Sequence, residues 1–271
     1  MSLEETKRLI RTSRIVPNKL MGQNFMIEPA LYPKLCRYAE LGVSDVVLDA
    51  GAGFGFLSRF LSDKCKQVLA IEKDPKIAEV LREQVKAFQN VTVIQGDLLK
   101  STLSPFNKVI AIPPYYLSSQ LVVWLFEHEI YCSILIFQKE FANRLVASVG
   151  NENYGWLTVY SNLRGEVALL DLVPKHMFYP QPEVDSIIIS LKPWSQKPFK
   201  VKDEHFFVQM IKWLFTERNK KIGKALTPFL RSTLKINKQD AEEIALKLPF
   251  HEKRARELSP KDFGEIANAI N

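Results

Sequence analysis

Cysteine is scarce: Cys36, Cys65 and Cys132 are the only ones, and they stand far apart. An odd, dispersed set makes neither a disulfide framework nor a metal-ligand spacing, and it fits a reducing cytoplasm. The histidines His128, His176, His205 and His251 are scattered as well, so neither a metal site nor a Ser-His-Asp arrangement is expected. No apolar run approaches the roughly 20 residues of a membrane span. The opening MSLEETKRLIRTSR has no apolar signal core, so export is not expected. There is no internal repeat and no low-complexity tract. What remains is a chain of 271 residues, 46% hydrophobic and 25% charged. That composition is ordinary for a globular protein, and the length allows one large domain and a small one. A cytoplasmic monomer without metal or membrane attachment is the expectation.

The most informative stretch is Val46-Val47-Leu48-Asp49-Ala50-Gly51-Ala52-Gly53-Phe54-Gly55. Its short β-branched run suits a buried parallel strand. The alternating glycines make a tight turn where backbone can approach a ligand closely. Residues 54–62 (FGFLSRFLS) carry apolar side chains at helical spacing, so the turn opens a helix. Strand, glycine turn and helix begin a doubly wound nucleotide-binding sheet. The third glycine, Gly55, comes one place too early for the dinucleotide fingerprint G-x-G-x-x-G. An acidic residue followed by G-x-G-x-G resembles the first motif of S-adenosylmethionine-dependent methyltransferases. Glycine turns that are merely tight loops share the pattern.

Two more strands end in acids. Residues 68–72 (VLAIE) close on Glu72, whose carboxylate can accept both hydroxyls of a ribose. Residues 91–97 (VTVIQGD) close on Asp97, which can accept from an adenine amino group. The alternative role for both is capping the helix that follows. Residues 108–112 form a fourth strand, stopped by Pro113 and Pro114 with Tyr115 and Tyr116 held at its end. A helix over 118–126, a fifth strand over 132–137 and a helix over 139–149 follow. The last two strands are placed at 156–163 and 185–191, with a proline-stiffened loop at 178–185 between them. Residues 193–198 read as a linker, and helices are expected over 203–216, 219–230, 238–247 and 260–269.

The charge is unevenly spread. Residues 190–271 hold 17 Lys and Arg against 10 Asp and Glu, which is the whole net charge of +7. A basic segment beside a neutral nucleotide-fold domain suggests a polyanionic partner such as nucleic acid, and a solvated lysine-rich face is the competing explanation. The first residues, with Lys7, Arg8, Arg11, Arg14 and Lys19, form a basic arm or short helix leading to Gly22-Gln23-Asn24-Phe25.

Taken together the chain resembles the small-subunit ribosomal RNA adenine-N6,N6 dimethyltransferases, on the archaeal and eukaryotic side. The likeness spans nearly the whole chain. It is carried by Gly22-Gln23-Asn24-Phe25, the Asp49/Gly51/Gly53/Gly55 turn, Glu72, Gly96-Asp97, Pro114-Tyr115 with Ser118-Ser119, residues 138–147 (QKEFANRLVA), 154–159 (YGWLTV), Phe178-Tyr179-Pro180 through Ser186, Arg218-Asn219-Lys220-Lys221 and 254–260 (RARELSP). The resemblance implies S-adenosyl-L-methionine as cofactor and small-subunit rRNA in a pre-ribosomal particle as partner. It implies that Gln23, Asn24 and Met26 line the mouth of the cofactor site. Gly51 and Gly53 would hold the methionine part, Glu72 the ribose and Asp97 the adenine. Ile112, Pro113, Pro114 and Tyr115 would form the catalytic turn, with Ile112 also against the cofactor and Tyr115 stacked on an adenine taken out of its RNA stack. Arg218, Lys220, Lys221 and Lys224 would grip phosphates.

One position departs from the family. Its catalytic tetrapeptide is Asn-Ile/Leu-Pro-Tyr, whereas this chain has Ile112-Pro113-Pro114-Tyr115. The amide oxygen is lost, leaving the backbone carbonyls of Ile112 and Pro113 as acceptors for the target amine. The expectation is a Rossmann-like α/β methyltransferase domain over 1–190 and a small all-helical RNA-binding domain over 191–271. The expected function is N6,N6-dimethylation of two adjacent adenines near the 3′ end of small-subunit rRNA. The alternative is an assembly factor of the same fold that docks on rRNA with weak or no activity.

Overall fold

The computed structural model describes residues 3–18 and 22–270. Lys19, part of the expected basic arm, lies outside them. The chain divides into two compact units, 1–142 with 166–193, and 143–165 with 194–271. The helical unit thus takes in 143–165 as well as the segment after the linker, where the sequence suggested one cut at 190.

The first unit opens with helix α1 (Leu3–Thr12) and a two-residue strand β1 (Phe25–Met26), followed by α2 (Tyr32–Tyr38). Then come β2 (Val46–Ala50), α3 (Phe56–Ser62), β3 (Gln67–Glu72), α4 (Pro75–Val85) and β4 (Val91–Gln95). The chain continues through β5 (Lys108–Ala111), α5 (Ser118–Leu125), β6 (Cys132–Gln138) and α6 (Lys139–Leu145), whose last turn belongs to the second unit. After α7 (Trp156–Arg164) it returns as β7 (Gly165–Val173), β8 (Phe178–Tyr179) and β9 (Ser186–Pro193).

Seven strands make one sheet in the order β4-β3-β2-β5-β6-β9-β7, and β1 pairs with β8 separately. The pairs from β4 through β6 are parallel, with Leu48 opposite Leu69 and Val109, β9 runs antiparallel to β6, and β1 pairs antiparallel with β8. Val47, Leu48, Val109, Ile110 and Ile134 to Phe137 are all fully buried. That explains why these strands read as unbroken apolar runs: helices cover both faces. Asp74 starts α4 by accepting from Lys76 N and Ile77 N, with Pro75 at the first helical position.

Residues 156–163 correct the sequence reading. They form helix α7, and the strand lies one step later, at β7. The β-branched and aromatic residues there suggested a strand, but the segment is helical and buried nearly all round, at Leu157, Thr158, Val159, Tyr160, Ser161 and Leu163. Thr158 Oγ1 accepts from Gly155 N at 3.2 Å and donates to Arg144 O at 2.6 Å, which fixes the first turn. Tertiary burial has overridden local propensity. β7 was missed because Glu166 and Asp171 interrupt it and only its end residues Gly165 and Val173 are buried. Helix α6 also stops at Leu145 rather than 149.

The second unit packs α7 with α8 (Glu204–Thr216), α9 (Ile222–Leu234), α10 (Lys238–Lys247) and α11 (Pro260–Ile270). Its core joins Phe207, Leu214, Leu226, Leu230, Phe263 and Ile266, all fully buried. Asp203 and Asn237 cap α8 and α10 through backbone amides, and Ser259 and Asp262 cap α11 reciprocally. α9 runs through Pro228, past the expected end at 230.

Candidate active site

From β2 the chain winds outward through β3 and β4 on one side, and through β5 and β6 on the other. The carboxyl ends of β2 and β5 therefore flank a topological switch point, where such sheets open a crevice for ligands. The glycine turn leaves β2, and the Ile112–Tyr115 turn leaves β5.

These two turns touch. Gly51 has φ +80°, and a Cβ there would lie 2.6 Å from Pro114 Cδ. Only glycine meets both demands, left-handed backbone and close approach. From the other side Gly22, at φ +61°, would put a Cβ 3.0 Å from Tyr115 N. The Pro-Pro-Tyr turn is thus held between two glycine backbones.

Glu72 ends β3 beside the glycine turn. Its Oε2 accepts from Gly53 N at 3.0 Å and its Oε1 from Asp74 N at 2.9 Å. Burial raises its carboxyl above the usual range, against these amide bonds. A carboxylate has about four acceptor sites, and with the Lys73 amide also facing it, capacity for another donor remains. Asp49 lies beneath the turn, 1% exposed, with Ser58 Oγ donating to it at 2.6 Å. Burial, with Glu72 adding, pushes Asp49 up to about 7 despite the Ser58 bond.

Two cavities that share Asn24, Phe25, Gly51, Gly53 and Ile112 make up the crevice. One adds Met26 and Asp49, the other Gln23, Glu72, Lys73, Pro114 and Tyr116. Asn24 N donates to Gly22 O at 2.9 Å, and its side-chain amide makes no hydrogen bond among the described residues. Gln23 is a brace, its Oε1 accepting from Asn18 N at 2.7 Å and its Nε2 donating to Asp74 at 3.3 Å. Asp97 lines neither cavity; Lys73 Nζ donates to it at 3.0 Å and Leu99 N at 3.1 Å. Tyr116 sits at the strand end, where the aromatic pair was expected; Lys73 was not singled out from sequence, and its adjacency to Glu72 was the available signal.

In the turn after β5, Ile112 packs its side chain against the core and Pro113 is buried. Pro114 O accepts from Leu117 N at 3.0 Å, and Tyr115 O from Ser118 Oγ at 2.7 Å. No turn or loop donor among the described residues bonds the Ile112 or Pro113 carbonyl. The Tyr115 phenol meets Ser186 Oγ at 2.8 Å, and its ring stands edge-on to Phe178 with centroids 6.5 Å apart. Burial pushes the phenol up to about 12 although the Ser186 bond opposes it.

The donor set fits an adenosyl ligand. A desolvated carboxylate with spare acceptor sites suits a diol, the glycine turn admits close backbone approach, and Ile77 and Ile112 offer apolar walls. Among the described residues no group of three or more His, Cys, Asp and Glu could hold a metal, and no helix is long and apolar enough to cross a membrane. In the helical unit Lys220 pairs with Glu217 at 2.7 Å, Lys221 with Glu252, and Arg218 donates to Glu152 O at 3.1 Å. Lys224 makes no ion pair among the described residues.

A family model described as "Ribosomal RNA adenine dimethylase" matches residues 17–259. A relative from Methanosarcina mazei, named "Probable ribosomal RNA small subunit methyltransferase A", is 38% identical over 92% of this chain and 91% of its own length. The crystal structure of a dimethyladenosine transferase from Plasmodium falciparum superposes with a TM-score of 0.77 at 27% identity, covering 89% of this chain and 95% of that one. That of the 23S rRNA methyltransferase ErmE shares the fold, with a TM-score of 0.67 at 23% identity over 91% and 99% of the two chains. The chain belongs to the ribosomal RNA adenine dimethylase family.

Proposed function

We propose that the chain uses S-adenosyl-L-methionine to dimethylate N6 of two adjacent adenines near the 3′ end of small-subunit rRNA, as a monomer in the cytoplasm acting on a pre-ribosomal particle. The observation that carries this is the meeting of Glu72, the glycine turn, and Ile112 and Pro114 of the turn after β5 in one crevice, in a member of this family. The cofactor supplies an electrophilic methyl group on its sulfonium. Glu72 holds the ribose diol, Gly51 and Gly53 admit the methionine part, and Gln23, Asn24 and Met26 close the mouth. Asp97 takes the adenine amino group, sharing its carboxylate with Lys73.

The exocyclic amine of adenine is a poor nucleophile, because its lone pair is delocalised into the ring. The Ile112 and Pro113 carbonyls accept from its N–H groups and favour the pyramidal, reactive form. Tyr115 orients the base by stacking. A phenol held near 12 stays protonated at neutral pH, so Tyr115 is a platform and not a base. Catalysis is thus by position and polar stabilisation. Arg218, Lys220, Lys221 and Lys224 contribute phosphate contacts in the helical unit. The assembly-factor alternative is not favoured, since the relatives are named as methyltransferases.

The test is transfer of labelled methyl from the cofactor to undermethylated small subunits. Label should enter the rRNA of these subunits and not that of fully methylated ones. No incorporation into either would overturn the proposal.

A further inference from the structure

We infer that Ser186 is a positioning residue for Tyr115: its buried hydroxyl fixes the tip of the ring that the proposed function presents to the target base. The inference rests on that function and adds to it a residue of another strand.

Ser186 is the first residue of β9 and is fully buried, opposite Gln138 of β6. The five parallel strands deliver only their last residues to the crevice edge. β9 runs antiparallel to β6, so its first residue reaches that edge. There the Ser186 hydroxyl meets the Tyr115 phenol at 2.8 Å, its only side-chain hydrogen bond among the described residues.

The rest of the turn is held at its backbone and at Ile112 and Pro114, with Ser118 Oγ donating to Tyr115 O at 2.7 Å. Gly51 lies against Pro114 and Gly22 against Tyr115 N. Such contacts fix where the tyrosine begins, but leave its two side-chain torsions free. Phe178 closes one side of the ring edge-on. The hydroxyl pair supplies the remaining constraint, at the far end of the lever. The serine is itself anchored: Asp185 Oδ1 accepts from Lys175 N at 2.9 Å, and Asp185 O from Lys139 N at 3.0 Å. Ring orientation matters because a small misplacement of a reacting group can cost as much as 10²-fold in rate.

The experiment measures single-turnover methylation of undermethylated small subunits, with cofactor and RNA affinities measured separately. Ser186→Ala should slow transfer about 10- to 100-fold while both affinities stay within about twofold. Ser186→Thr should restore most of the rate. In a Tyr115→Phe background, where the phenol is already gone, Ser186→Ala should add no further loss. Thermal unfolding of each variant checks that it folds. An unchanged rate in Ser186→Ala, or an equal loss in both backgrounds, would overturn the inference. If the parent protein transfers no methyl at all, the proposed function fails instead. The positioning claim is then decided by NMR of ring-labelled tyrosine, where Ser186→Ala should speed reorientation of the Tyr115 ring; unchanged ring dynamics would refute it.

Discussion

In the proposed function Glu72 and Ile112 set the chemistry at the residue scale, one by what it offers and one by what it lacks. Glu72 receives two backbone amides and has acceptor capacity left over. Glu72→Ala should weaken S-adenosylmethionine binding by about 1.5–3 kcal/mol, the scale of hydrogen bonds to a charged group. Calorimetry showing unchanged affinity would place the ribose elsewhere. Ile112 stands where the family resemblance puts an amide oxygen, and its side chain accepts nothing. A lost preorganised donor or acceptor typically costs ~10²–10³ in the chemical step. Ile112→Asn should therefore raise the single-turnover rate while leaving cofactor and RNA affinities within a few fold, because that contact works mainly in the transition state. Pro113 can aim the new side chain wrongly, so Ile112→Asn with Pro113→Leu is the companion variant. A parent protein already as fast as the double variant would show that the side chain was never needed.

At the scale of elements, the site is made by turns that fit one another. Gly51→Ala would force a Cβ to within 2.6 Å of Pro114 Cδ on a backbone that disfavours it. It should slow methylation by at least tenfold and lower stability by roughly 1–3 kcal/mol. Unfolding and single-turnover assays check this, and a fully active Gly51→Ala protein would show that the two turns need not touch. This contact was only half legible in the sequence. The strand–glycine–helix pattern announced the first turn, and Pro113-Pro114 announced the end of β5. That they meet follows from the sheet order, which no local pattern encodes. The same limit explains 156–173. Local propensity favoured a strand in the segment that became α7, where tertiary burial of most of the segment decides instead. The next nine residues became an edge strand whose charges hid its pattern. Glu72 was legible because strand ends and acidic residues coincide in sequence. Ser186 lay in a segment the resemblance marked, but its bond to Tyr115 spans 71 positions and needs the antiparallel return of β9.

Over the whole molecule, the net charge of +7 lies in the part of the chain from 190 onward, most of which forms the helical unit. Replacing Lys220, Lys221 and Lys224 with glutamate should weaken binding to small-subunit RNA and flatten its salt dependence, leaving cofactor affinity unchanged. Lys220 and Lys221 already pair with Glu217 and Glu252, so Lys224 should contribute more to the salt slope than either. RNA binding indifferent to all three would make this charge a solvated face. The central claim is that the crevice between the glycine turn and the Ile112–Tyr115 turn dimethylates adenine. The most direct measurement is to incubate the protein with labelled cofactor and undermethylated small subunits, then map each modified nucleotide and identify it by mass after digestion. The account predicts N6,N6-dimethyladenosine at two adjacent positions near the 3′ end of the rRNA, lost in Glu72→Ala at limiting cofactor. Label in another nucleoside, or in protein with none in the rRNA, would contradict it.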